Sequence, residues 1–147
     1  MVEQINIDTA AANDAPTIHQ FIQQLEGVTT PFTLFKDIFL YNLQQSTIVY
    51  LVARANDQIV GFISAHGQLL LHHTGYVYEI QELFVHEKYR GRGIGKTLLS
   101  SIERKIKSKN AVAVEVSANK VRETAHHFYR NNGFAATHVK FTKSFTH

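Results

Sequence analysis

Hydrophobic residues recur every three or four positions in four segments of the chain, the spacing that places them along one side of a helix. Asp14 is a candidate cap for the first segment. The third follows a glycine cluster, and the fourth ends at Gly133, where a left-handed helix stop is expected. The pattern predicts helices at 14–25, 32–43, 94–106 and 119–132.

Short apolar and β-branched segments alternate with these helices and are typical of strands. Asn56 and Asp57 form a turn between two of them, which predicts a hairpin. Strands are predicted at 2–7, 47–55, 58–66, 76–85, 111–116 and 137–145. The order of elements predicts an α/β fold, with one mixed sheet and helices on both of its faces.

The composition is that of one globular domain, which we predict to span residues 1–147. Apolar residues make up 44% of the chain, enough for a core, but no apolar run reaches membrane-spanning length. Because the chain contains no Cys, it has neither a disulfide framework nor a thiol nucleophile, and a cytoplasmic location is the default expectation.

The net charge is +3, and basic residues concentrate between Lys88 and Lys109, around the glycine cluster. A basic chain suggests nucleic-acid binding, but these residues are not interleaved with aromatic ones along a stripe. A polyanionic cofactor at the glycine cluster explains the distribution better. We therefore predict neither a nucleic-acid nor a membrane partner.

The glycine cluster connects a predicted strand to a predicted helix. Gly91, Gly93 and Gly95 allow backbone amides to approach a ligand closely, and the helix dipole adds positive potential, which predicts a phosphate site. The cluster is not a Walker loop, because Arg90 stands where the first glycine of that motif belongs. It is not a dinucleotide fingerprint either, because Gly95 comes one residue too early.

The remaining pattern, Arg90-x-x-Gly93-x-Gly95, resembles the acyl-coenzyme A pyrophosphate loop of the GCN5-related N-acetyltransferase (GNAT) superfamily. The superfamily's second signature, a helix that carries a Tyr and ends in Gly-Phe, is similar to the segment from Asn119 to Phe134. More narrowly, segments 71–73, 79–83 and 141–143 are similar to aminoalkylphosphonate N-acetyltransferases.

The resemblance implies a mostly antiparallel GNAT sheet in which the central strand and the next one splay apart to form a cleft for acetyl-CoA, the co-substrate. Asn119 would bind the pantetheine arm or simply cap its helix, and Phe128 would pack against the cofactor or the core. The implied cofactor-binding residues are Leu83, Phe84, Val85, Arg90, Gly91, Arg92, Gly93, Ile94, Gly95, Lys96, Asn119 and Phe128.

A primary amine, with a pKa of about 10.4, must lose a proton before it attacks a thioester. The central strand offers Glu79 and Glu82 as the base. Their spacing places them on opposite faces of a regular strand, so both reach the acceptor only if a bulge intervenes. Glu79 lies on the same strand face as Gln81, which favours these two side chains as the pair that lines the site and holds a water molecule. The superfamily often places an acid near 81 and 82, so Glu82 stays a candidate; either carboxylate could instead pair with a surface cation.

The resemblance makes Tyr129 the general acid for the departing thiolate; the alternative is a core aromatic with a bonded hydroxyl. The first two helices would cover the acceptor, and Phe35 is a candidate contact, although packing on the sheet is its simpler role. His73 is a candidate for the acceptor site. With Glu79 or Glu82 it would also supply ligands for a divalent ion, as the metal-assisted phosphonate relatives imply; a solvated histidine is the simpler alternative.

These features predict an acetyl-CoA-dependent N-acetyltransferase of a small primary amine, with an aminoalkylphosphonate as the first candidate. A polyamine, an amino acid, an aminoglycoside or a protein amine stays open as the acceptor, as does an acyl-CoA-binding module without catalysis. The second helix offers only Asp37 as an acid, which favours an uncharged or anionic acceptor. An exposed final strand would allow a homodimer.

Overall fold

The computed structural model describes residues 4–118 and 123–145. The elements are β1 (Ile5–Thr9), α1 (Ala15–Glu26), α2 (Phe32–Leu43), β2 (Ile48–Ala55), β3 (Gln58–Leu70), β4 (Gly75–Val85), α3 (Ile94–Lys107), β5 (Ala111–Val116) and α4 (Glu123–Asn131). In this part of the chain the strands form one sheet in the order β1-β2-β3-β4-β5, antiparallel from β1 to β4 and parallel between β4 and β5. The predicted α/β fold with a mixed, mostly antiparallel sheet is confirmed.

Each face of the sheet has its own hydrophobic core. α3 covers one face, with Leu98 and Ile102 fully buried at its centre, as their helical spacing predicts. α1 and α2 cover the other face, where Phe21 and Phe39 belong to one cluster with Phe84 of β4. No helix within the described residues combines the length and the apolarity that crossing a membrane requires.

The parallel pairing of β4 with β5 stops before β4 ends. Ile80 and Val116 are the last paired residues, and β5 ends there. On the side away from β3, residues 81–85 of β4 therefore have no strand partner in the described part of the chain. This gap lies where the resemblance implies a cleft for acetyl-CoA.

A β-bulge interrupts β4 at Gln81. Ser64 of β3 lies across from Glu82, whereas the next residue of β3 lies across from Ile80, so Gln81 is an extra residue. Ile80 and Leu83 accordingly both pack towards α3, although they are three positions apart. Gln81 and Glu82, which lie between them, therefore both lie on the face away from α3.

α4 ends in a Schellman motif at Gly133, which has a φ of 92°. The N–H of Gly133 donates to the carbonyl of Arg130 at 3.2 Å, and the N–H of Phe134 donates to the carbonyl of Tyr129 at 3.0 Å. The predicted left-handed helix stop is confirmed, and it holds the Phe134 ring beside that of Tyr129.

The strand predicted at 137–145 is wrong, because this segment has no regular structure and its residues are exposed. Its alternating Val139 and Phe141 fit a strand, but a strand needs a hydrogen-bonded neighbour, and none lies beside this segment among the described residues. Of the strand predicted at 2–7, residues 2 and 3 lie outside the described residues, and β1 is observed at Ile5–Thr9; β3 extends past residue 66 to Leu70. The predicted start of the last helix, at 119–122, lies outside the described residues.

Candidate active site

The turn between β4 and α3 presents an open backbone surface. Gly91 and Gly93 have φ values of 78° and 80°, which residues with side chains rarely adopt. A Cβ atom built on either glycine would meet no heavy atom within 4 Å, so both border open space. Gly93 also precedes the first turn of α3, whose N–H groups lack carbonyl partners within the helix. The turn therefore fits an anionic group such as a pyrophosphate.

Two arginines of this turn are held by local contacts. The Nε of Arg90 donates to the carbonyl of Val85 at 2.8 Å, and the Arg90 guanidinium lies 5.5 Å from the ring centre of Phe84. The Arg92 guanidinium lies 4.9 Å from the ring centre of Tyr89. Both arginines are exposed, so their charges reach solvent beside the start of α3.

The first residues of α3 serve different purposes. A Cβ built on Gly95 would lie 3.7 Å from the Phe128 ring and 3.8 Å from Cγ2 of Val85, which are ordinary contact distances, so Gly95 lies beside the Phe128 ring of α4. The Ile94 side chain is buried in the core, which leaves only its backbone for a ligand. Lys96 is exposed and adds positive charge.

Along the gap, the side chains of β4 alternate between the two cores. Leu83 and Val85 pack towards α3. Phe84 is buried on the other face, with its ring centre 4.7 Å from that of Phe21 on α1. The side chains thus anchor this segment, and the backbone edge is left to bind a peptide-like ligand.

Tyr129 lies on α4 among aromatic residues. Its ring centre is 5.4 Å from that of Phe128 and 5.6 Å from that of Phe134, with the rings steeply inclined to one another. Through Phe128, the same helix contacts the start of α3. Asn119, the other predicted residue of this signature, lies outside the described residues.

Glu82 is bound to Ser64 through both its side chain and its backbone. The Ser64 hydroxyl donates to Oε1 of Glu82 and accepts the N–H of Glu82 at 3.0 Å. Burial raises the pKa of the Glu82 carboxyl, the hydrogen bond from Ser64 lowers it, and Glu26 at the end of α1 raises it further. Burial prevails, so Glu82 holds a proton more readily than an exposed carboxylate does.

Glu79 and Glu82 lie on the same face of the sheet. A regular strand would place them on opposite faces, but the exception allowed for above, a bulge, occurs at Gln81 and changes the alternation. Oε1 of Glu79 accepts a hydrogen bond from Nε2 of Gln81 at 2.8 Å, and Oε2 accepts one from the Ser117 hydroxyl at 3.4 Å. Glu79 and Gln81 are thus in direct contact.

Three further polar residues on this face, Tyr50, Ser64 and His66, are not singled out by the sequence analysis. His66 lies across from Glu79, and its ring centre is 6.2 Å from that of Tyr50. Burial lowers the pKa of His66, and the charge of Glu79 raises it. The sequence does carry a signal for two of them, since Ser64 and His66 are polar residues that interrupt an apolar strand.

A column of aromatic rings connects α2 to this polar face. The rings of Phe35 and Phe39 stack with centres 6.1 Å apart, and Phe39 stacks on Tyr50 at 5.4 Å. Phe35 is partly exposed and also lies 4.8 Å from the His19 ring. It therefore packs within the helical layer on this face of the sheet.

His73 lies in a short 3-10 helix at Leu71–His73, with its ring centre 4.4 Å from that of His72. Across residues 4–118 and 123–145, no three His, Cys, Asp or Glu side chains converge into a group that could hold a metal ion. The expectation that His73 shares a divalent ion with Glu79 or Glu82 therefore gains no support from the donor set.

Comparisons with known proteins agree with this geometry. Residues 46–136 match the profile of a family described as an acetyltransferase (GNAT) domain. An aminoalkylphosphonate N-acetyltransferase from Salmonella typhimurium is 36% identical over 135 residues, which is 92% of this chain and 88% of that protein.

Solved structures share the fold at lower identity. The aminoglycoside N-acetyltransferase AAC(6')-Iy, in complex with CoA, has a TM-score of 0.88 and 17% identity, covering 99% of this chain and 98% of that one. A transcriptional regulator from Bacillus halodurans has a TM-score of 0.89 and 20% identity, covering 97% of this chain and 100% of that one. At these identities the likeness establishes the fold alone.

Proposed function

The chain belongs to the acetyltransferase (GNAT) family and is an N-acetyltransferase, and we propose that it transfers the acetyl group of acetyl-CoA to the primary amine of an aminoalkylphosphonate. The observation that carries this choice of acceptor is the 36% identity, over 92% of the chain, to a protein of that name. Family membership supports acetyl-CoA as the donor.

The residues around the gap fit acetyl-CoA. Its pyrophosphate would lie against the open backbone at Gly91 and Gly93, with Arg92 and Lys96 as counter-charges. Its pantetheine arm would lie along the unpaired edge of β4 at residues 81–85. Support for this placement comes from the empty space beside both glycines and from the early end of β5.

We assign the base to Glu82 rather than Glu79. Burial raises the pKa of Glu82, and a base works best when its pKa lies near the working pH. Glu79 has both carboxylate oxygens engaged, by Gln81 and by Ser117. Glu79 and Gln81, whose side chains are held by these hydrogen bonds, therefore line the acceptor site.

In the proposed reaction the ammonium form of the acceptor gives one proton to Glu82. The freed lone pair forms a bond to the acetyl carbon as the carbon–sulfur bond breaks, and the nitrogen releases its surplus proton to solvent. Tyr129 donates its hydroxyl proton to the departing thiolate and is reprotonated by solvent. Glu82 then releases the proton that it took to solvent, so the products are the N-acetylated amine, the thiol of coenzyme A and one net proton. The assignment of Tyr129 rests on the superfamily signature and on its place in α4.

A cationic acceptor, such as a polyamine or an aminoglycoside, is a second candidate. The sequence suggests few acids near the acceptor, but Glu79 and Glu82 share one face and Glu26 acts on Glu82 from α1. Three carboxylates around one site favour a substrate with more than one positive charge.

The experiment that tests the proposal compares kcat/KM for a panel of amines, measured as thiol release from acetyl-CoA. The panel contains aminomethylphosphonate, 1-aminoethylphosphonate, spermidine, several amino acids and an aminoglycoside, each with and without a divalent ion. The Glu82→Gln variant is the control for background thioester hydrolysis. The proposal predicts that the phosphonates give the highest kcat/KM. A clear preference for spermidine or the aminoglycoside would replace the acceptor while keeping the reaction.

A further inference from the structure

The Ser64 hydroxyl can donate one hydrogen bond and accept two, and Glu82 is its partner both as a donor and as an acceptor. Ser64 is fully buried, and it lies across from Glu82 at the bulge. One lone pair accepts the N–H of Glu82 at 3.0 Å, which orients the hydroxyl. The hydroxyl proton is then directed at Oε1 of the same residue.

We propose that Ser64 is a positioning residue, which holds the Glu82 carboxylate and leaves Oε2 as the atom that takes the proton of the amine. Because Oε1 is engaged by Ser64, the orientation of the free oxygen is fixed before the acceptor arrives. This inference rests on the proposed function only in naming the amine as the proton donor. The contact between the two side chains is independent of it.

The groups around Glu82 define how Ser64 acts. Glu26 faces Glu82 from α1, Tyr50 from β2, and His66 and Glu79 lie nearby on β3 and β4. Burial and Glu26 favour the protonated carboxyl, whereas the hydrogen bond from Ser64 favours the ionised form. Removing that hydroxyl therefore shifts Glu82 towards its protonated, inactive form at a given pH.

The first test is the pH dependence of kcat/KM in wild type, Ser64→Ala and Ser64→Thr. For Ser64→Ala the acidic limb of the profile should move up by about one pH unit, so kcat/KM should fall about tenfold at pH values on that limb and less above it. Ser64→Thr keeps a hydroxyl, so the acidic limb should stay at its wild-type pH, even if the extra methyl group lowers Tm. A purely structural role for Ser64 would lower Tm in both variants and leave the limb unchanged, which would overturn the inference.

The second test needs no acceptor. Carbon-13 NMR of the labelled Glu82 carboxyl, identified by its absence in Glu82→Gln, gives the titration midpoint in wild type and in Ser64→Ala. A higher midpoint in Ser64→Ala supports the inference, and an unchanged midpoint overturns it. If Ser64→Ala does not fold, Ser64→Cys, whose thiol is a weak donor, replaces it with the same expected direction. Absence of turnover with a shifted midpoint would reject the proposed function and keep the role of Ser64.

Discussion

At the scale of single residues, the two strand carboxylates differ in what surrounds them. Glu82 is partly buried and receives one hydroxyl, whereas Glu79 is held by an amide and a second hydroxyl at the end of the gap. The sequence places both acids on the central strand, but alternation along a regular strand would separate them. The bulge that reunites them depends on pairing with Ser64, which is distant in sequence, so it could not be predicted from β4 alone.

The Tyr129→Phe substitution tests the proposed proton donor. It removes one hydroxyl and keeps the ring that packs between Phe128 and Phe134, so folding and acetyl-CoA affinity should be nearly unchanged. Loss of leaving-group protonation should lower kcat by about 10²-fold. Steady-state kinetics give kcat, and a calorimetric titration gives the Kd for acetyl-CoA. Full activity in the variant would remove Tyr129 from the mechanism.

At the scale of elements, local signals were sufficient for the helices and for the turn before α3. The apolar spacing of Leu98 and Ile102 and the glycines of the turn are short-range features, and the structure has both where they are expected. The segment 137–145 shows the opposite case. Its pattern is that of a strand, but strand formation depends on a neighbour, which a local pattern does not supply.

The phosphate role of the turn is tested by comparing Gly93→Asp with Gly93→Asn. Asp and Asn tolerate a positive φ similarly and have nearly the same size, so the pair isolates the charge. The carboxylate should weaken acetyl-CoA binding by at least about tenfold relative to the amide, because about 1.4 kcal/mol of repulsion suffices for that factor. Equal affinities of the two variants, measured by calorimetry, would contradict a pyrophosphate site at this turn.

At the scale of the whole molecule, the site collects residues that are far apart in the chain. Tyr50, Ser64 and His66 come from two strands, and they meet Glu79 and Glu82 only because β2, β3 and β4 are neighbours in the sheet. The sequence identified the family from contiguous motifs. It did not identify these partners, since their proximity depends on strand register.

The exposed segment 137–145 leads us to expect a homodimer in which this segment pairs with a sheet edge of the second subunit. Phe141 is 91% exposed, and Phe145 is 87% exposed, so burial against a partner would remove large apolar surfaces from water. Light scattering should find a dimer for the wild type and a monomer for Phe141→Lys. Thr142→Lys adds the same charge to the same segment and should remain dimeric. A monomeric wild type, or a dimer unaffected by Phe141→Lys, would contradict the expectation.

Direct transfer of an acetyl group from acetyl-CoA to an amine can be followed by mass balance. The chain is incubated with carbon-13-labelled acetyl-CoA and 1-aminoethylphosphonate, while free thiol and labelled N-acetyl product are measured in one sample. If the acetyl group moves directly to the amine, thiol and labelled amide should appear in equal amounts, and Glu82→Gln should slow the formation of both. Thiol release without labelled amide, or tight acetyl-CoA binding with neither product, would contradict direct transfer.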